Sequence, residues 1–275
     1  MELHHHEKFT GIFDLMAAID HRNAKAGASS THNGADWAPQ TLKEAEVIAN
    51  NGGADFDTAD KMMAVKTLTD AAMTDALYLP NWTPSVAGFL PSVPAYCAGE
   101  PLSMFDQSES VLETAKVLKI AVVCIPCSEV TATAMLNRGA AILGAIDALE
   151  RDGNIRVELV GMFPSYSVGA KNCLMEMTLK NAGDDWNPAS VAFAIANPAF
   201  GRRIGFRWLE SKQAYAGNVE RCYGHGSTKN NKAPIECDIY LPYLEQDAGY
   251  TTPNLAVESI SNTFSNQLDQ LDHAA

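Results

Sequence analysis

From Leu118 to Ile125 the chain reads LKIAVVCI, eight residues with a single charge. A strand with one wet face alternates polar and apolar residues, so a near-continuous apolar run of this length predicts a central parallel strand covered on both faces. A second strand, IRVELVGM, is predicted at 155–162. Between them a helix is predicted from Thr131 to about Glu150, with Leu136, Ala140, Leu143 and Ile146 on one stripe. Gly139 and Gly144 would let that helix approach the sheet closely. This strand–helix–strand unit commits the chain to an α/β sheet.

The remaining elements are read around it. CLMEMTLK at 173–180 alternates, which predicts a half-exposed strand near an edge. The link from the preceding strand is too short for a helical crossover, so the two should run antiparallel. Asn187-Pro188 and Asn197-Pro198 each place Asn at a helix cap and Pro at the first helical position, the second helix running to about Ser211. Residues 212–234 read as a long polar loop, IECDIYLP as a fourth strand, and TPNLAVESISNTFSNQLDQL as a closing helix. Upstream, FDLMAAIDHRNAKAGA, TLKEAEVIAN and TADKMMAVKTLTDAAMTDALYL are helical in pattern, the second ended by Gly52 and Gly53. The expected architecture is a three-layer, Rossmann-like α/β domain over 118–275, with a mainly parallel sheet and one antiparallel strand. A helical N-terminal arm (1–80) and a proline-rich connector (81–117) precede it. Prolines 80, 84, 91, 94 and 101 argue against regular helix over residues 80–101. Trp82, Phe89 and Tyr96 along it either pin the segment to the core or form a recognition surface.

Cys124-Ile-Pro-Cys127, at a strand-to-helix junction, is the leading candidate for chemistry. A helix N-terminus lowers a thiol's pKa there, as a redox pair requires. A thioredoxin-type site also needs a proline loop facing the motif from a later strand. The only later strand preceded by proline, after Ala233-Pro234, follows a long polar loop and fits poorly. A zinc site would need four ligands, with Cys222 and His225 as the nearest partners for Cys124 and Cys127. There is no phosphate-binding glycine loop and no nucleophile elbow. His4, His5 and His6 read as a frayed, solvated terminus. The six cysteines mostly sit in apolar runs and read as reduced thiols of a cytoplasmic protein. No signal peptide or membrane span is expected. A net charge of −13 argues against nonspecific nucleic-acid binding. The one basic cluster is GRRIGFRWLE; Arg203 and Arg207 share a helical face and form a candidate interaction surface.

KIAVVCIPCSEV followed by NRGAAILGAIDALERDGNIRVELVGM resembles the first strand, helix and second strand of the von Willebrand factor A fold, in the version found in cobaltochelatase-type subunits. In that family the strand ends in D-x-S-x-S, which holds a divalent cation with a Thr and a second Asp from neighbouring loops. Laid on this sequence, the first Asp falls at Pro126, the two Ser at Ser128 and Val130, and the second Asp at Pro242. Only Ser128 keeps its type, and Cys127 fills the turn. Prolines cannot supply the charged oxygens that Mg²⁺ requires, so the resemblance implies a degenerate site with no metal. A wider resemblance, through SVAGFLPSVPAYCAGEPLSMFD, NRGAAILGAIDALE and DIYLP, is to a family of bacteriophage and prophage proteins of unknown function.

Together these lead to a non-catalytic, phage-type binding or scaffold protein without catalytic residues or cofactor. Its implied partner is an AAA+ ATPase or another phage protein, and self-assembly is left open. The alternatives are a thiol oxidoreductase using Cys124 and Cys127, a hydrolase using the 221–228 loop, and a metal site with non-standard ligands.

Overall fold

The computed structural model describes residues 3–20, 29–31, 38–77, 82–87, 90–107, 116–151, 154–166, 172–185, 187–220, 226 and 232–272. The chain begins with β1 (His5–Phe9), α1 (Ile12–Ala18), α2 (Leu42–Asn50) and α3 (Phe56–Leu77). Next come β2 (Trp82–Ser85), β3 (Leu90–Pro91), α4 (Val93–Cys97) and β4 (Met104–Gln107). The strand–helix–strand unit is β5 (Lys116–Val123), α5 (Ala132–Glu150) and β6 (Ile155–Ser165). It is followed by β7 (Cys173–Lys180), α6 (Pro188–Ala196), a π-helical turn (Phe200–Gly205), α7 (Phe206–Ser211), α8 (Ala216–Glu220), β8 (Ile239–Leu241) and α9 (Pro253–Asp272).

The main sheet has the order β1-β7-β6-β5-β8. β5 pairs in parallel with both β6 and β8, β6 and β7 are antiparallel, and β7 and β1 are parallel. Leu118 and the residues from Ile120 to Ile125 are all buried, as the apolar run requires. β7 lies one strand in from the edge, covered by β1, and is more buried than its alternation suggested, with five residues in succession buried. The segment HHEKF carries no apolar run to announce a strand. It is held instead by paired polar groups on both faces. On one face, His6 and Lys8 reach Glu176 of β7 at 2.7 and 3.2 Å. On the other, Glu7 accepts from Trp208 Nε1 (3.2 Å) and from the Tyr215 hydroxyl. At the opposite edge the Gln267 side chain stands in for a missing strand. Its amide accepts from the Tyr240 N–H (2.8 Å) and donates to the Tyr240 carbonyl (3.0 Å), so the outward-facing peptide groups of β8 are satisfied.

The described elements of the N-terminal 80 residues are not a separate helical arm. β1 completes the sheet, and α3 packs over α5, α6 and α9. The physical tie is Lys66, 7% exposed, whose ammonium meets Asp70 at 2.8 Å and Asp147 of α5 at 2.7 Å. Burial alone would lower the Lys66 pKa, but the two carboxylates outweigh it and raise it. The α5 glycines also face helices rather than the sheet. A Cβ on Gly139 would lie 2.6 Å from that of Ala196 in α6, and Gly144 lies against Met73 of α3. Asn197 spans the α6–π-turn junction. Its Oδ1 accepts from the Ala199 N–H (2.9 Å), and its amide donates to Asp55 (2.8 Å) at the start of α3.

Among its described residues the proline-rich segment shows no pinning to the core, and it holds a short helix, α4, that its prolines were not expected to allow. β2, β4 and β3 form a separate three-stranded sheet, and none of the side chains described between Pro84 and Phe105 is buried. Tyr96 is 74% exposed; Phe89 and the side chain of Trp82 lie outside the described residues.

Candidate functional site at the strand-end crest

β5 is the switch point of the sheet: the chain leaves it through α5 to β6 on one side and returns much later to β8 on the other. In open α/β sheets the crevice outside the carboxyl ends of such strands is where ligands bind. Here that position falls where residues 124–131, after β5, meet residues 242–247, after β8. Pro126 and Leu244 extend the ladder by one bridge, and the Cys127 N–H donates to the Leu244 carbonyl (2.8 Å). Thr131 caps α5, accepting from the Ala134 N–H at 3.2 Å. It donates through its own N–H and hydroxyl to Asp247 at 3.0 and 2.8 Å.

Two buried arginines close the crest. Arg138 of α5 donates to the Val123 carbonyl (3.0 Å) and the Pro242 carbonyl (2.8 Å), joining the ends of β5 and β8. Arg202, on the π-helical turn, donates to the carbonyls of Cys127 and Val130. Close packing delivers it there: a Cβ on Gly201 would stand 2.9 Å from the Ile125 backbone, and one on Gly205 would stand 2.3 Å from the Phe163 ring. Burial pulls both guanidinium pKa values down, Arg202 to about 10, which still leaves its charge in place at neutral pH.

The residues of the expected metal-site turn therefore have other duties. Pro126 bridges to Leu244, Val130 is buried, and Ser128 is exposed. The carbonyls of Cys127 and Pro242 accept from guanidinium groups. Among the described residues no group of three or more His, Cys, Asp or Glu side chains is arranged to hold a metal ion. Cys124 and Cys127 are both free thiols. Cys124 is fully buried, and burial pushes its thiol up to about 12. A thiol so desolvated is a small hydrophobe rather than a nucleophile. Cys127 is half-buried beside the Tyr243 hydroxyl, which burial and this neighbour push upward. Cys222, His225 and nearly all of the 221–228 loop lie outside the described residues; Gly226 alone is placed, against the Tyr243 ring.

A family model described as a domain of unknown function, DUF7192, matches residues 3–267. The chain belongs to the DUF7192 family. The match runs from before β1 into α9, so it takes in the small sheet as well as the main one. No curated protein and no solved structure matches the chain.

In this DUF7192 chain the expected arginine surface turns inward. Arg203 is 2% exposed and donates to the carbonyls of Gln40 (2.8 Å) and Ser30 (2.9 Å). The Arg207 side chain is 14% exposed and faces Glu46 and Glu210. Helical spacing identified a shared face but not whether that face met solvent. Of the residues that close the crest, Arg202 was legible only as part of the basic cluster, and Arg138 was passed over. For Arg138 a signal was present: it lies in a helix whose residues 134–146 are apolar nearly all round. A charged residue there must be buried, and a buried guanidinium must find acceptors.

Proposed function

We propose that this DUF7192 protein acts by binding other proteins rather than by catalysis. Its body is read as a von Willebrand A-like variant of the Rossmann type whose metal site has been lost. One observation carries the reading. At the crest, where such a sheet would present oxygen ligands to a cation, Arg202 and Arg138 donate to the available main-chain carbonyls. A fixed guanidinium replaces the exchangeable cation, and its charge disfavours a second positive ion within a few ångströms. The thiol alternative loses its first member to the burial of Cys124.

Among the described residues no helix is long and apolar enough to cross a membrane, which fits a cytoplasmic partner. An AAA+ ATPase or a phage-encoded protein is the partner class this reading favours, and a net charge of −13 suits a basic one. The test is affinity purification from cells expressing the native gene, followed by light scattering. A partner retained at a fixed stoichiometry is expected. Recovery of the protein alone, as a monomer, contradicts the reading.

A further inference from the structure

Among its described side chains, the small sheet of β2, β4 and β3, with α4, has no share in the hydrophobic core. None of its described side chains is buried, and none packs against either apolar cluster of the body. It nevertheless displays large apolar groups: Val86, Val93, Tyr96 and Leu102 are 71, 64, 74 and 49% exposed. A three-stranded sheet needs an apolar face buried against something to be stable in water. Its backbone is well constrained. Pro84, Pro91, Pro94 and Pro101 fix φ along it, the Ser92 hydroxyl caps α4 on the Ala95 N–H (3.4 Å), and Gly99 takes a positive φ of 73° to end the helix. A surface restrained in this way loses little entropy on binding.

Charge decides the occupant. From β2 to β4, residues 82–107, the chain carries Glu100 and Asp106, and no Lys, Arg or His. Two copies docked through this segment would bring like charges together, within a chain already at −13. We infer that this module, centred on Val93, Tyr96 and Leu102, is the docking surface for a protein partner that presents an apolar patch bordered by Lys or Arg. The inference rests on the binding reading above and names its surface and partner chemistry.

The probe is a synthetic peptide alternating leucine and lysine, with a leucine–glutamate peptide as its charge-reversed control, titrated against the full chain. The leucine–lysine peptide binds saturably, and its affinity falls roughly tenfold from low to high salt as the charges are screened. The glutamate peptide does not bind. In a Val93→Asp/Tyr96→Asp double variant the affinity for the lysine peptide falls at least about tenfold. Thermal melting is unchanged, because the module shares no core with the body. Leu68→Asp, at a residue 78% exposed on α3, binds as the native chain does. Equal binding by the double variant, equal binding of the glutamate peptide, or no binding at all overturns the inference. So does concentration-dependent dimerisation that the double variant abolishes, which assigns the surface to a second copy. A partner still held at fixed stoichiometry by the double variant removes this surface while leaving the binding reading intact.

Discussion

Arg202 and Arg138 are buried charges that donate to main-chain carbonyls at or just after the ends of β5 and β8. Removing one takes a charged donor from each of those oxygens; the Cys127 carbonyl keeps the Val130 N–H (3.1 Å), and a carbonyl left with no donor in a desolvated place costs about 1–3 kcal/mol. Arg202→Met should therefore lower stability by about 2–5 kcal/mol. Urea denaturation checks this, and a loss within experimental error would mean that the turn carbonyls are satisfied without the arginine. The cysteines give a second expectation at this scale. In the native state Cys124 should resist an aromatic disulfide reagent at pH 8, whereas the exposed Cys97 reacts at once. Reaction of Cys124 before unfolding, read by mass spectrometry, would contradict its burial. At the residue scale the apolar run predicted that burial correctly. The acceptors of the two arginines could not be read, because they belong to segments 104 and 72 residues away in sequence.

Among the elements, β1 is the one held most by charge. Burial would raise the Glu7 carboxyl, but hydrogen bonds from Tyr215 and Trp208 and the Lys212 charge bring it below its ordinary 4.5. Glu176 follows the same pattern: burial raises it, and Lys8, His6 and Lys119 bring it down. A carboxyl depressed in the folded state contributes stability above its unfolded pKa, and the contribution is lost as pH falls through the folded value. The docking of β1 should therefore weaken below about pH 4.5. Amide exchange in β1 should accelerate there before exchange in β5, and Glu7→Gln should flatten the pH dependence. Loss of both strands at one pH would argue that β1 is not a separately held element. Apolar strands and amphipathic helices were legible because their pattern repeats over eight residues or more. α5, β6, β7 and α9 lie within a few residues of their expected bounds. β1 and the small sheet were not legible. β1 is short and polar, and the small sheet takes its order from turns at prolines and Gly99, which leave no periodicity.

At the scale of the whole molecule, one mostly parallel sheet carries a helical layer with α3 outside it, and a second, acidic sheet module exposes Val86, Val93, Tyr96 and Leu102. Sequence placed the domain boundary at residue 118, but β1 and α3 belong to the same body as β5. Long-range pairing of that kind depends on closing large loops and is invisible to local pattern. The account stands on the crest supplying its own positive charge through Arg202 and Arg138. Calorimetric titration of the metal-stripped protein with Mg²⁺, Mn²⁺ and Zn²⁺, with melting temperature followed in parallel, tests this most directly. We expect no saturable heat and no rise in melting temperature, since a ligand that binds the folded state must stabilise it. One-to-one binding of any of these ions that Ser128→Ala abolishes would contradict the account.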